Sequence, residues 1–370
     1  MDFIHTVMIV GGLGLGGIAG IMMHRADYCV AGMFRDLFLF RSTMLLKTLL
    51  LLVAVSLPIF GLIQVTGLVA TPFPTFKPPS WVNLLGGLLF GVGMVIAGGC
   101  AVGTLYKLGA GSFSSMLAFF GLVAGSTFYA EIHPWWSTVA KSLALPTKAT
   151  TMPQLLGVPT WLMVSLISLF LLPLLLRWLY QGRLNKPVVV NGYLQPWKAA
   201  VGLALVGSLS VLIIGKPMSI TTSYAKIGAM VLKPLAPEHF ESLSYFHRVT
   251  LETTPPLSGL PMFGGPGPAF DAFALVQFPL IIGIVLGAAW SAIRLGEWHM
   301  QFKLPWRQVL SALLGGIIMG LASRMTPSCN VWHLFGGLPF LALQSFLFLA
   351  GLLPGAWLGG IILTRLVLPR

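Results

Sequence analysis

Apolar residues run along this chain in long unbroken stretches, and the polar residues are confined to the segments between them. The stretches fall at 7–23, 43–69, 81–98, 113–130, 160–178, 199–214, 268–290, 308–322 and 337–367. Most come close to the about 20 residues that a helix needs to cross the hydrocarbon of a bilayer. They are continuous, unlike the alternating strands of an outer-membrane barrel. The pattern predicts an all-α, polytopic integral membrane protein with about nine crossings. It reads as a single transmembrane domain over 1–370, with an N-terminal half, 1–180, and a C-terminal half, 199–370. The first stretch has no basic segment before it and no small-residue cleavage pattern after it, so it reads as a span and not as a leader. The last contains Pro354 and reads as one long element or two.

Three further apolar pieces, 99–109, 216–233 and 326–336, are too short to cross. Short segments interrupted by Gly or Pro at membrane depth predict discontinuous or re-entrant helices. Such helices survive only where protein or a polar path encloses their free backbone groups; the plainer reading is a set of interfacial loops.

Composition agrees with the pattern. Hydrophobic residues are 56% of the 370 and charged residues only 8%, against about 25% charged in a soluble domain. Disorder, a collagen-like rod and a disulfide scaffold are excluded. The net charge of +13 comes from scattered Lys and Arg, with no nucleic-acid motif. Topology explains it better, with an anionic substrate as a second reading. Segments 24–47, 177–198 and 294–307 are basic and read as cytoplasmic; 70–80, 131–159 and 234–267 read as external. The N-terminus then lies outside, and Arg365 and Arg370 favour a C-terminus inside.

The three cysteines share a setting. GIMMHRADYC ends at Cys29, GVGMVIAGGC at Cys100 and GLASRMTPSC at Cys329, so each Cys follows a Gly by nine residues. The second and third copies also share a double glycine fourteen residues before the Cys, at Gly86-Gly87 and Gly315-Gly316. This spacing suggests an internal repeat, a common way to build a central transport pathway. The region 207–228, broken at GKPMSITTSY, reads as a fourth copy without cysteine. Free cysteines are often just small buried hydrophobes. These lie in polar, glycine-rich turns, where free backbone N–H groups favour anions. Three soft ligands could also hold copper or zinc, but there is no CxxC pair and no His-rich tract. No phosphate-binding loop, nucleophile elbow or zinc-protease helix is present, which argues against an ATP-driven pump.

Charged and polar residues beside the thiols are candidate partners of an anion. Arg25, Arg35 and Arg324 flank Cys29 and Cys329, with Asp27 and Asp36 placed to neutralise the first two. Lys216, Thr221, Thr222 and Ser223 fall at the fourth break, and Asn330 follows Cys329.

The AGGCAVG turn (Ala97 to Gly103), the RMTPSCNVWHLFGG stretch (Arg324 to Gly337) and the three Cys turns together resemble the YeeE/YedE membrane family over essentially the whole chain. Ser328 stands where that family usually has Gly, and Trp332 where it has a small residue. The resemblance implies an inner-membrane protein with internal repeats and short helices dipping in from both faces. It implies import of thiosulfate, or of another sulfur or selenium compound such as sulfite or selenite, and a small soluble sulfur-carrier protein as partner. It also implies that Cys29, Cys100 and Cys329 are the functional thiols, relaying the anion by hydrogen bonding.

The expected pathway residues are therefore Cys29, Cys100, Cys329, Gly98, Gly99, Asn330, Arg25, Arg324 and Thr222. No metal, cofactor or nucleic acid is expected, and the surroundings are membrane lipids. The different-class alternative is a membrane sulfurtransferase that forms a cysteine persulfide.

Overall fold

The structure is a computed structural model that describes residues 3–69, 76–186, 191–256, 259, 261–300 and 302–367. Parts of the loops read above as external or basic, 70–75, 187–190, 257–258 and 260, and the terminal Arg370, lie outside the described residues.

The chain begins with a long α1 (Phe3–Ala26), a short α2 (Val30–Phe40) and a long α3 (Met44–Val65). The same order returns in α4 (Trp81–Ile96), α5 (Ala101–Gly109) and α6 (Phe113–Ser142). A small α7 (Met152–Leu156) and a long α8 (Thr160–Tyr180) follow. A third unit holds α9 (Pro196–Ile214) and α10 (Thr221–Leu235); after α11 (Pro237–Ser242) and a tight turn at Ser244–His247 comes a ribbon of β1 (Leu251–Thr253) and β2 (Met262–Gly264). The ribbon is antiparallel, with Leu251 opposite Gly264, and it leads to α12 (Ala272–Arg294). The fourth unit is α13 (Trp306–Met325), a π-helical turn at Trp332–Gly337 and α14 (Leu343–Ile362). Among the described residues, nine helical segments are long and apolar enough to cross a membrane. The chain is thus all-α and polytopic apart from one small ribbon.

Several boundaries differ from the hydropathy reading. Residues 131–142, read as an external loop, continue α6. Tertiary contacts hold this polar turn: Trp136 Nε1 donates to the Met325 carbonyl at 3.1 Å, and His133 packs between Tyr129 and Tyr245. Pro354 does not divide the last span, which runs through it as one helix.

Glycines set how the long helices pack. In three of the four units the long helix carries a Gly thirteen and a Gly nine residues before the Cys: Gly16 and Gly20, Gly87 and Gly91, Gly316 and Gly320. Each pair faces a Gly-x-x-x-Gly pair on another helix. The α1 pair meets Gly283 and Gly287 of α12, the α4 pair meets Gly351 and Gly355 of α14, and the α13 pair meets Gly121 and Gly125 of α6. The contacts are reciprocal. A β-carbon at Gly16 or Gly20 would run into the carbonyls of Leu280 or Ile284, and one at Gly283 or Gly287 into those of Leu13 or Gly17. Apolar side chains gain little by associating within lipid, so close backbone contact supplies the attraction instead. The α4 and α13 helices also touch each other through Gly93 and Gly315. The remaining pair, α3 with α9, has no such seam: the only α9 glycines are Gly202, which meets the Met22 side chain, and Gly207, which faces open space.

The breaks share their geometry as well. The amides of Tyr28, Gly99 and Ser328 each reach back five residues, to the carbonyls of Met23, Met94 and Ser323, at 2.9, 3.1 and 3.2 Å. This six-to-one bond satisfies a carbonyl that the helix end leaves free. It turns the chain through a left-handed residue, at Asp27 (φ 47°), Gly98 (φ 74°) and Ser328 (φ 91°). The α9 helix ends instead on Gly215 (φ 77°).

Two stability predictions follow from these contacts. Gly20→Ala and Gly287→Ala should each cost about 1–3 kcal/mol by overpacking. Gly14→Ala on the same helix, where nothing lies within 4 Å, should stay within about 0.5 kcal/mol. Thermal unfolding of the detergent-purified chain measures the difference; equal shifts would dismiss the seam. Ser328→Gly should raise stability by about 1 kcal/mol, because glycine relieves the left-handed strain; the same melt reads it.

Candidate functional site

Each cysteine is the last non-helical residue before a short helix. The Cys29 carbonyl accepts from Met33 N at 2.9 Å, the Cys100 carbonyl from Thr104 N at 2.7 Å, and the Cys329 carbonyl from His333 N at 3.1 Å. These are N-cap positions, so each sulfur sits at the positive end of a short helix among unpaired amides. All three thiols are free and buried.

The structure brings two of the thiols together, those of Cys29 and Cys100. Cys100 Sγ accepts from the amide of Gly103 at 3.2 Å. A β-carbon at Gly103 would come within 2.8 Å of Cys29 Sγ and 3.2 Å of Cys100 Sγ. The glycine three positions after Cys100 therefore leaves room for a second sulfur. The two sulfurs are near neighbours, and Asn330, which follows Cys329, lies beside Cys100. Neither amide atom of Asn330 meets hydrogen-bond geometry with any described group. The Thr104 hydroxyl, beside Gly99, also lacks a partner. Asn330 and Thr104 are at most 1% exposed. Buried polar atoms left unpaired cost about 1–3 kcal/mol each, and two of them beside the thiols suit a polar occupant.

Two phenols frame the site. Tyr224 Oη donates to the Ala101 carbonyl at 3.1 Å and lies within electrostatic range of Cys100 and Cys329. Tyr106 Oη donates to Asp27 at 3.1 Å, near Cys29 and Cys100. Lys107 Nζ donates to the Gly98 carbonyl at 2.6 Å and so pins the second break.

The fourth break, without cysteine, is basic. Arg324 donates to the Thr222 hydroxyl at 3.1 Å and also to Thr221. Lys216 is 3% exposed, with Nζ 4.1 Å from the centroid of the Phe273 ring. The nearby Asp271 is already bound, by Lys226 Nζ at 2.9 Å and by the amides of Gly265, Phe273 and Ala274. Ser219 meets Ser328 at 3.2 Å, which joins this break to the turn before Cys329.

Of the nine expected residues, Cys29, Cys100, Gly99 and Asn330 gather around Gly103 and Thr104, Cys329 is buried one position before Asn330 and is not part of the contact between Cys29 and Cys100, and Arg324 donates to Thr222. Gly98 is exposed and serves the turn. Arg25 is placed elsewhere: its Nε donates to Ser291 at 3.3 Å and its guanidinium lies 5.9 Å from the Trp290 ring. At that end Tyr193 donates to Glu297, which pushes its phenol up to about 12. Asp36 neutralises Arg35 at 2.8 Å as expected, whereas Asp27 takes Tyr106 in place of Arg25. Tyr106, Tyr224, Thr104 and Lys107 were not legible as site residues, although three of them lie within seven positions of Cys100. Among the described residues no group of three His, Cys, Asp or Glu is arranged to hold a metal ion.

The chain is 29% identical to the thiosulfate transporter TsuA of Spirochaeta thermophila, over 97% of this chain and 100% of that protein. It is 25% identical to the thiosulfate transporter TsuA of Escherichia coli K12, over 95% of this chain and 93% of that one. It is also 32% identical to the probable transporter YedE of the same organism, over 43% of this chain and 38% of its length. The family described as sulphur transport matches residues 25–358. With its nine apolar helices and a match over most of its length, the chain is a multi-pass membrane protein that belongs to the sulphur transport family.

Proposed function

We propose that this chain imports thiosulfate, or a close sulfur oxyanion, across the cytoplasmic membrane by way of its three thiols. The observation that carries the reading is the meeting of two N-cap cysteines, Cys29 and Cys100, with an amide and a hydroxyl beside them that have no partner among the described residues, in a member of a sulphur transport family. The names of the full-length relatives favour thiosulfate as the anion.

Loop charges put the fourth break and the Cys329 turn toward the outside. Lys216 and Arg324 then draw the anion in, with Thr221 and Thr222 orienting Arg324. Cys329, Cys100 and Cys29 receive it in turn. Each S–H donates a weak hydrogen bond, and the amides at each short helix add to it. Several modest sites in series let an anion enter without trapping it. No covalent bond forms or breaks. Two units in 1–180 and two in 199–370 support the division into halves. A soluble sulfur-carrier protein would take the product at the inner face, a partner favoured by the resemblance alone.

Uptake of labelled thiosulfate by the purified chain in proteoliposomes tests the reading. Cys100→Ala should lower the rate at least about tenfold, the worth of one hydrogen bond to a charged group; unchanged uptake would sink the relay. Arg324→Gln should raise the KM for uptake about tenfold and leave the maximal rate within about twofold. Intact mass measurement after turnover should find no added sulfur atom on any cysteine. A persulfide would favour the sulfurtransferase alternative, and stronger competition by sulfite or selenite would change the anion.

A further inference from the structure

The side of the molecule without a glycine seam holds a groove of about 510 Å³ between α3, α8 and the start of α14. Its walls are almost wholly apolar, from Leu46, Leu50 and Val53 on α3, and Leu171 on α8. One end is different. There Lys47 lies with its ammonium 5.4 Å from the centroid of the Trp178 ring. Lys47 forms no ion pair among the described residues. The segments around this mouth, 41–47 and 177–186, contain Arg41, Lys47, Arg177, Arg183 and Lys186 and no acid.

From this arrangement we infer that the groove holds one acyl chain of an anionic phospholipid, whose phosphate meets Lys47. The dimensions suit a single leaflet. Lys47 and Leu57, both lining the groove, stand ten residues apart on α3, about 15 Å of helix rise. That is about half of the 30 Å hydrocarbon thickness. A lysine and a tryptophan at one end, with only apolar side chains below, match headgroup and tail in that order. The positive charge at the mouth, unopposed by any acid, selects an anionic headgroup over a zwitterionic one. A void of this size without a chain would leave its lining short of packing contacts.

The inner wall gives the lipid a place in the fold. Leu338 and Leu341 line the groove, and they form the turn that ends the short helix of Cys329. Leu341 is buried and left-handed, with φ 55°. Its carbonyl accepts from Met152 N at 2.8 Å, and Ala342 bridges to Thr151. A bound chain packs against this strained turn from the lipid side.

Retention of lipid by the intact chain tests this without reference to transport. The protein, equilibrated in nanodiscs of equal phosphatidylglycerol and phosphatidylcholine, is released for native mass spectrometry. The wild type should keep one phospholipid, with phosphatidylglycerol favoured about fivefold. Lys47→Gln should abolish the preference while lipid is still retained, and Lys303→Gln, at an exposed residue outside the groove and its mouth, should leave it intact. Val53→Trp, filling the groove, should remove the retained lipid of either kind, and Leu50→Phe should weaken it if the tryptophan variant fails to fold. No retained lipid, equal retention of the two lipids by the wild type, or an unchanged preference in Lys47→Gln would each overturn the inference.

Discussion

A helix that breaks inside hydrocarbon frees amides and carbonyls that water cannot reach, and only enclosure by protein makes the break tolerable. Enclosure here depends on backbone meeting backbone. The three Gly-x-x-x-Gly seams bring α1 to α12, α4 to α14 and α13 to α6 so closely that no β-carbon fits. The seam ends nine residues before each cysteine, so each break emerges at a fixed height above a rigid crossing. Helix spacing and thiol position are thus one constraint, and the glycines that set the first also set the second.

Much of this was legible in the chain, because hydropathy and glycine spacing are local properties. Long apolar runs fixed the spans, and the nine-residue interval marked the breaks. The same interval was only half understood. The double glycines of two copies looked like the shared feature, but it is the glycine thirteen before the cysteine, present also as Gly16, that packs in all three seams. Recognising it needs the partner helix, whose glycines lie more than 250 residues away in the case of Gly283 and Gly287. The polar end of α6 was misread for the same reason: Glu131, His133 and Pro134 look like a loop until Met325 and Tyr245 pack against that turn. Tyr224 escaped notice because it lies more than 120 residues from Cys100, and only the fold brings it to Ala101.

The unit of α9 and α10 departs from the others in two ways at once. Its α9 helix carries no glycine seam, and its break carries no thiol. The losses go together physically. Without a seam, α9 need not approach its neighbour as closely, and its end opens into Lys216, Ser219 and Thr221. A hydroxyl-lined and cationic break is poor for gripping one sulfur atom through close contact. It is well suited to lowering the energy of an anion that is still partly hydrated. On the proposed route, divergence of one copy would separate attraction from handover.

Under the proposed relay, thiols serve handover better than cations would. A lysine or arginine at the centre would bind an anion through a charge-assisted bond about twice as strong as a neutral one. In a low-dielectric interior such a pair would hold on, and transport would stall at the tightest site. A thiol is a weak donor and a small, polarizable body. Its attraction for a sulfur oxyanion is modest. Three such groups, each at a short-helix end, would give the proposed route shallow wells and low steps. On the proposed route, Lys216 and Arg324 at the fourth break would speed arrival, away from the thiols that would hand the anion on.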